Sequence, residues 1–218
     1  FSGGNSKYSI SALSARNDTL INTWDWIITD GGMEPVNFFI STWNTSLTST
    51  GSSDDTSVKL PLESDGDYNF IVFWGDGDSD IITAYDQAEV THDYGVEGIY
   101  QINISGLIEG FRFDNWGDRL KILDISQWGD LRVGNNNGYF FGCGNLNSTA
   151  IDNLNLSGTT NLSRMFRSAV NFNGNISGWD VSNVTDMNQM FYDTDLFNQD
   201  LSGWDVSSVT DMTSMFMS

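Results

Sequence analysis

Two consecutive segments of this chain repeat each other with an offset of 25 residues, and this periodicity constrains the fold more than any other feature. Residues 172–191 recur as residues 197–216, with the large apolar side chains in register. Weaker copies precede them, with apolar residues at Leu131, Phe140, Phe141, Ile151, Leu154, Leu156, Leu162, Met165 and Phe166. A unit this short cannot bury its apolar side chains alone, so the copies must stack on one another.

Each repeat is predicted to hold two short extended segments and one helical turn. In the last copy, residues 200–204 are predicted to form a strand, and Val206 and Val209 a second extended segment. Asp211 is a predicted N-cap for a helical turn over residues 211–216, in which the apolar side chains share one face. We expect that face to point into the stack of repeats.

The polar positions repeat as well. Asn198, Asp200, Asp205 and Asp211 have counterparts 25 residues earlier, and we expect them to form stacked surface ladders. No Lys or Arg follows Arg167, so the predicted ladders form a hydrated acidic face that is screened by salt. The whole chain has a formal charge of −20 and a pI of about 4.1, which argues against nucleic-acid or anionic-membrane binding.

The repeat unit closely resembles that of the BspA-like leucine-rich-repeat surface proteins, in the variant found in mycoplasma lipoproteins. The resemblance rests on the pattern Phe-Asn-x-x-Ile/Leu-Ser-Gly-Trp-Asp-Val-Ser-x-Val-Thr-Asp-Met-x-x-Met-Phe over residues 172–218 and is looser over about 118–171. It implies a leucine-rich-repeat solenoid that is displayed on a cell surface and acts in adhesion or host contact. It transfers no catalytic motif.

Residues 37–106 show the period-two alternation that is typical of β-strands. Tyr68, Phe70, Val72 and Trp74 share one predicted face, and glycine- and aspartate-rich turns separate this strand from its neighbours. Short strands at this spacing predict a small antiparallel β-sandwich.

This segment resembles the PKD-type immunoglobulin-like domain. The matching pieces are a Trp-Gly-Asp-Gly turn that begins at Trp74, a His-x-Tyr strand at His92 and a Gly-x-Tyr strand at Gly98. The resemblance implies a non-catalytic spacer or binding module of an extracellular protein.

The predicted fold is therefore mainly β: a PKD-like antiparallel sandwich over residues 37–110, then a leucine-rich-repeat solenoid with short strands and single helical turns over residues 111–218. The clear repeats within it are 172–196 and 197–218. Residues 1–36 are predicted to form a β-element of uncertain role. No segment has the roughly 18 apolar residues of a membrane span, so we expect no membrane insertion. The two resemblances imply an extracellular protein, secreted or on the cell surface.

The sequence offers one candidate metal site and little that suggests catalysis. Alternate carboxylates at Asp76, Asp78 and Asp80 are a candidate calcium site, although the EF-hand spacing fails and a solvated turn is the favoured alternative. His92 is predicted to be a hydrogen-bonded structural residue, and Cys143 a buried thiol. The chain contains no nucleophile elbow or phosphate-binding loop, so we predict a non-enzymatic protein without a cofactor other than that calcium.

Three functions fit these features. The leading hypothesis is adhesion, or interaction with a cell-surface or matrix protein or glycan, through the repeat solenoid. The first alternative is a structural subunit of a filament, sheath or virion surface that self-associates through an uncapped C-terminal repeat edge. The second is a carbohydrate-binding module, suggested by the tryptophans outside the clear repeats: Trp24, Trp26, Trp43, Trp116 and Trp128.

Overall fold

A seven-stranded sheet forms the first part of the computed structural model, which describes residues 37–218; the predicted β-element at 1–36 lies outside the described residues. The main-sheet strands follow the order β4-β3-β6-β1-β7-β9, with β8 paired to β6, and a separate two-stranded sheet joins β2 and β5. The strands are β1 Phe39–Asn44, β2 Ser57–Lys59, β3 Leu62–Phe73, β4 Ser79–Ile82, β5 Thr91–Asp93, β6 Ile99–Phe111, β7 Ile122–Gln127, β8 Leu131–Arg132 and β9 Asn147–Ser148. A short 3₁₀ helix, Ala88–Val90, precedes β5.

The predicted alternation is confirmed on the central strands. Phe70, Val72 and Trp74 are at most 2% exposed, and Ile102 and Ile104 on β6 are equally buried. Strands β3, β4, β6, β1 and β7 pair antiparallel, as the alternating pattern predicted. Within residues 37–218 the second sheet is the β2–β5 pair, whose His92 ring stacks on the Trp74 indole.

The main sheet continues past the predicted domain boundary at 110/111. β7 pairs antiparallel with β1, and the short strands β8 and β9 pair parallel with β6 and β7. Residues 38–218 consequently form one compact unit with a continuous apolar core.

Beyond the sheet, successive repeats stack as coils that are joined by parallel hydrogen bonds. Alternate backbone N–H groups of one coil donate to carbonyl oxygens of the next: Leu162 to Asp186, Arg164 to Asn188 and Phe166 to Met190, at 2.8–2.9 Å. The next junction repeats the pattern from Met187 to Asp211 and from Phe191 to Met215. We call residues 136–218, which form these coils, the repeat stack.

Phenylalanines line up through the interior of the repeat stack. Phe140, Phe166, Phe191 and Phe216 form one column, in which adjacent ring centroids lie 5.5–5.9 Å apart and ring planes are within 13° of parallel. Phe172 and Phe197 begin a second column beside it. The predicted inward-facing positions are confirmed in the coil that has neighbours on both sides, since Met187, Met190 and Phe191 are at most 3% exposed.

The helical turn and the strand predicted in the last copy, at residues 211–216 and 200–204, are not formed. Residues 213–216 form a hydrogen-bonded turn, and the equivalent positions Arg164, Gln189 and Ser214 have φ values of 54–57°, which a right-handed helix does not contain. Residues 200–204 likewise form a turn, in which the Trp204 N–H donates to the Leu201 carbonyl at 3.0 Å. The backbone groups bond to the neighbouring coil, and not within a strand or a helical turn of their own repeat as the local sequence predicted.

Candidate functional site

Among the tryptophans of residues 37–218, Trp116 is the exposed one. Its side chain is 59% exposed, whereas Trp43, Trp74 and Trp128 are fully buried and Trp179 and Trp204 are at most 9% exposed. Of the tryptophans proposed for carbohydrate binding, Trp43 and Trp128 therefore belong to the core, and Trp24 and Trp26 lie outside the described residues. Only Trp116 is available as a surface platform in this part of the chain.

The loop that carries Trp116 has an unusual backbone held by hydrogen bonds. Asp114 and Asn115 have φ values of 46° and 63°, in the left-handed region that Asp and Asn tolerate better than other non-glycine residues. Their N–H groups donate to Gly138 and Phe141 of the first coil at 3.0 and 2.9 Å. The repeat stack thereby fixes the backbone immediately before Trp116.

The indole lies against the backbone of Gly51. A Cβ at this position would overlap the Cε2 and Cζ2 atoms of Trp116, and the φ of Gly51 is +81°. The Ser49 hydroxyl also donates to the Gly117 carbonyl at 2.8 Å. Both the close approach and the backbone conformation require glycine here.

Beside Trp116 opens a cavity of about 570 Å³, which we call the junction groove and which is lined by Glu63, Arg112, Asp114, Trp116, Asn136 and Asn137. A second cavity of about 230 Å³ shares Glu63, Asp65 and Asn136 with it. Ligand pockets commonly enclose roughly 300–1,000 Å³, so the junction groove has the volume of a binding site.

Two acceptor atoms in this wall have no hydrogen-bond partner. The Glu63 side chain is only 9% exposed; its Oε1 accepts a bond from Asn136 Nδ2 at 2.9 Å, but its buried Oε2 has no partner. The buried Oδ1 of Asn137 also lacks one. Most buried polar side-chain atoms in proteins are hydrogen-bonded, so these two oxygens are acceptors that a donor group of a bound molecule or of water would satisfy.

Arg112 is the cation among the described residues that line the groove, and each of its three side-chain nitrogens has one acceptor beside it. Its Nε donates to the Asn137 carbonyl at 2.6 Å, and its terminal nitrogens lie 2.7 Å from Asp114 and 3.5 Å from Glu63 Oε1. Burial raises the pKa of Glu63, while Asn136 and Arg112 oppose that rise and the Asp65 and Asp114 carboxylates add to it. The groove is thus rich in acceptors and negative in charge.

A buried ion pair supports the loop beneath Trp116. Lys121 and Asp118 have fully buried side chains, with Nζ 3.7 Å from Oδ1. The three N–H groups of Lys121 are shared among four acceptors: the Ser53 hydroxyl and the carbonyls of Ser53, Asp54 and Ser57. Asp118 accepts bonds from the Ser53 N–H and hydroxyl and from the Lys59 N–H. These bonds tie the segment that contains Gly51 to the segment that contains Trp116.

The turn that holds the candidate calcium ligands groups Asp76 and Asp78 with His92 and not with Asp80. Asp76 and Asp78 lie with His92 so that one ligand atom from each is within 4.8 Å of the others. His92 Nε2 lies 2.8 Å from Asp76 Oδ2. Burial alone would raise the pKa of Asp76, but the bonds with His92 and with the Asp78 N–H outweigh it, so the pKa lies below its ordinary value. Asp80 instead accepts a 2.8 Å bond from the Trp74 indole N–H.

The aspartates of the repeats are engaged locally. Asp180 accepts bonds from the hydroxyl and the N–H of Ser182, and these bonds hold its pKa below the usual range, while Asp205 one coil later acts in the opposite direction. Asp200, Asp205 and Asp211 make the same backbone contact two residues on. Asn173 forms the predicted ladder: it accepts from the Asn198 N–H and donates its own N–H to Asn147, both at 2.9 Å.

Sequence reasoning identified Trp116 but missed the other groove residues. Glu63, Arg112 and Asn136 belong to no motif, and the only local signal is the run of three asparagines at 135–137. Cys143 is fully buried and burial raises its pKa well above the usual value. Its environment is therefore that of an inert thiol.

A known protein family matches the second half of the chain, which contains the Trp116 loop and the repeat stack. Residues 111–218 match the family described as "Mycoplasma protein of unknown function, DUF285". The DUF285 match covers the repeat stack and the Trp116 loop, and it fits the resemblance of the repeats to mycoplasma surface proteins. Comparisons with curated proteins and with solved structures produced no match. The described residues include no helix long and apolar enough to cross a membrane.

Proposed function

We propose that this protein is a non-enzymatic, extracellular surface protein that acts in adhesion, with the junction groove as a contact site. The observation that carries the proposal is an exposed indole, Trp116, beside a cavity in which the buried Glu63 Oε2 has no partner. Tryptophan dominates many binding interfaces because it offers a large, rigid apolar surface with one polar edge.

The extracellular assignment is supported by the sequence resemblances and by the DUF285 match. We further propose that residues 37–110 are a PKD-like module and residues 111–218 a leucine-rich-repeat solenoid. In this arrangement the repeat stack is a rigid frame that holds the 114–115 backbone, and its polar outer face provides additional contact surface to a cell-surface or matrix protein or glycan.

The non-enzymatic assignment is supported by the engagement of the two side chains best suited to nucleophilic or acid–base chemistry. His92, the single histidine of the chain, is stacked on Trp74 and paired with Asp76. Cys143, the single cysteine, is buried among apolar side chains. Neither lines the junction groove.

Adhesion of coated beads tests the proposal. Beads that carry the chain should bind host cells or extracellular matrix, and Trp116→Ala should reduce this binding, whereas Tyr85→Ala, which removes another exposed aromatic ring, should leave it unchanged. Equal binding by wild type and Trp116→Ala, or no binding at all, would refute the groove as an adhesion site.

Self-assembly as a structural subunit is a second candidate. What supports it is that the coils join through parallel backbone hydrogen bonds, a form of pairing by which separate chains also associate. Sedimentation velocity over a concentration series tests it. A sedimentation coefficient that does not change with concentration would refute it.

A further inference from the structure

We propose that the junction groove binds a saccharide, a pyranose unit of a neutral or amino-bearing glycan, with its C–H face on Trp116 and its hydroxyl groups on Glu63 and Asn137. This inference rests on the proposed function and names the chemical class of ligand for the same groove.

The unpaired acceptors of the groove indicate which polar groups a ligand carries. Among the described residues, Glu63 Oε2 and Asn137 Oδ1 have no donor, and both side chains line the groove, whereas each side-chain nitrogen of Arg112 already has one acceptor beside it. A ligand that brings O–H or N–H groups therefore complements this wall. A site with buried acceptors also selects against an analogue without those donors, because its own atoms would stay unpaired.

Trp116 indicates that the ligand also has an apolar face. Its indole is 59% exposed, and its contact with the Gly51 backbone holds it in place at the cavity wall. A rigid, flat apolar surface beside polar acceptors fits a ligand that is apolar on one face and carries hydroxyl groups around its edge. A pyranose ring has this distribution, because its axial C–H bonds form a face and its hydroxyl groups project from the rim.

Charge narrows the class of glycan. Among the described residues that line the groove, three are carboxylates and one is a cation: Glu63, Asp65 and Asp114 against Arg112. Uronic acids, sialic acids and sulfated sugars would bring like charges to these groups, and such juxtaposition is repulsive. An amino group on the sugar is attracted instead.

The space available fits more than one sugar ring. The 570 Å³ and 230 Å³ cavities share the wall formed by Glu63, Asp65 and Asn136. The groove therefore continues past the indole along one side of Glu63. We infer that it accommodates an internal or terminal segment of a chain.

A glycan array probed with the full chain, followed by calorimetry on the strongest neutral or amino-bearing oligosaccharide, tests this inference. Trp116→Ala should weaken binding about tenfold or more, and Glu63→Gln, which removes one charged acceptor without a change of shape, should weaken it as well. The matched control Tyr85→Ala should bind with wild-type affinity. Circular dichroism checks that each variant is folded.

Several outcomes would overturn the inference and still leave the adhesion proposal standing. Binding to host cells that depends on Trp116 but survives removal of surface glycans would identify a protein partner. Binding restricted to sialylated or sulfated glycans, or no binding on the array together with Trp116-dependent adhesion, would also exclude a neutral saccharide. Failure of Trp116→Ala to reduce adhesion would refute the proposed function itself.

Discussion

Replacement of Asp118 by alanine should destabilise the protein strongly and loosen the support of Trp116. The carboxylate accepts three hydrogen bonds of 2.6–2.7 Å from Ser53 and Lys59, and it faces the fully buried ammonium of Lys121. We expect Asp118→Ala to lower the free energy of unfolding by about 3–4 kcal/mol, because removal of one partner of a buried ion pair typically costs roughly 3–5 kcal/mol.

The contacts of Lys121 place the loss in the lower part of that range. Its ammonium keeps three backbone carbonyl acceptors, those of Ser53, Asp54 and Ser57, after the carboxylate is gone. The three lost bonds at Asp118 are each of the charge-assisted kind, worth roughly 1.5–3 kcal/mol, but contributions within one network are not additive. Since domains are stable by only about 5–15 kcal/mol, a loss of this size is readily measured.

Urea denaturation at pH 7, followed by far-UV circular dichroism, measures the change. Asp86→Ala, at an exposed aspartate, is the control and should change the stability by less than about 0.5 kcal/mol. A loss below about 1 kcal/mol would refute this account of the network.

Three further changes test the core, the groove and the acidic turn. Phe166→Ala, within the stacked column, should cost about 3–5 kcal/mol in urea denaturation, and Phe216→Ala, whose ring is 61% exposed, less than about 1 kcal/mol. Glu63→Gln should raise the unfolding free energy at pH 7, a gain that disappears in urea titrations at a pH below the ordinary carboxyl value of 4.5. Calcium chloride should raise the melting temperature, and Asp78→Asn should reduce that rise.

The sign of the Glu63 prediction follows from its raised pKa. Burial favours the protonated form in the folded state, so the contribution of this carboxyl to stability is fully present below its unfolded pKa and is lost as the pH rises through the folded value. A glutamine cannot ionise and escapes that loss. Glu89→Gln, at an exposed position, should show no such pH-dependent gain, and an equal gain in both variants would contradict the reasoning.

The other two tests have equally direct refutations. Similar losses for the two phenylalanine variants would mean that the column of rings does not carry the packing energy of the repeat stack. A melting temperature that does not respond to calcium would exclude the turn at Asp76 and Asp78 as a calcium site. Zinc, which His92 would favour over calcium, is the natural second ion for the same measurement.

The repeat period and the strand alternation could be derived from the sequence because both are regular patterns of apolar residues. An offset of 25 residues places Phe166, Phe191 and Phe216 in equivalent positions, and they occupy one column. Alternation likewise predicts which side of a strand is buried, as Phe70 and Val72 illustrate. These inferences need only the spacing of side chains along one segment.

The local sequence pattern predicted the wrong backbone conformation where hydrogen bonds between coils determine it. The Met-rich segment from Asp211 has the spacing of a helical turn, yet Gln189 and Ser214 adopt positive φ values and alternate N–H groups donate to the next coil. A pattern of 3.6 residues cannot reveal those bonds, because their partners lie a whole repeat away.

The junction groove depends entirely on tertiary structure. Glu63 meets Arg112 because β3 and β6 pair with Leu62 opposite Phe111, and the Trp116 loop meets the first coil through bonds to Gly138 and Phe141. The sequence by itself determined that repeats stack and which faces are buried, since periodic spacing is a local property. Only the folded chain decided which tryptophan is exposed and which acceptors are left unpaired, because burial and hydrogen-bond satisfaction depend on residues that are distant in sequence.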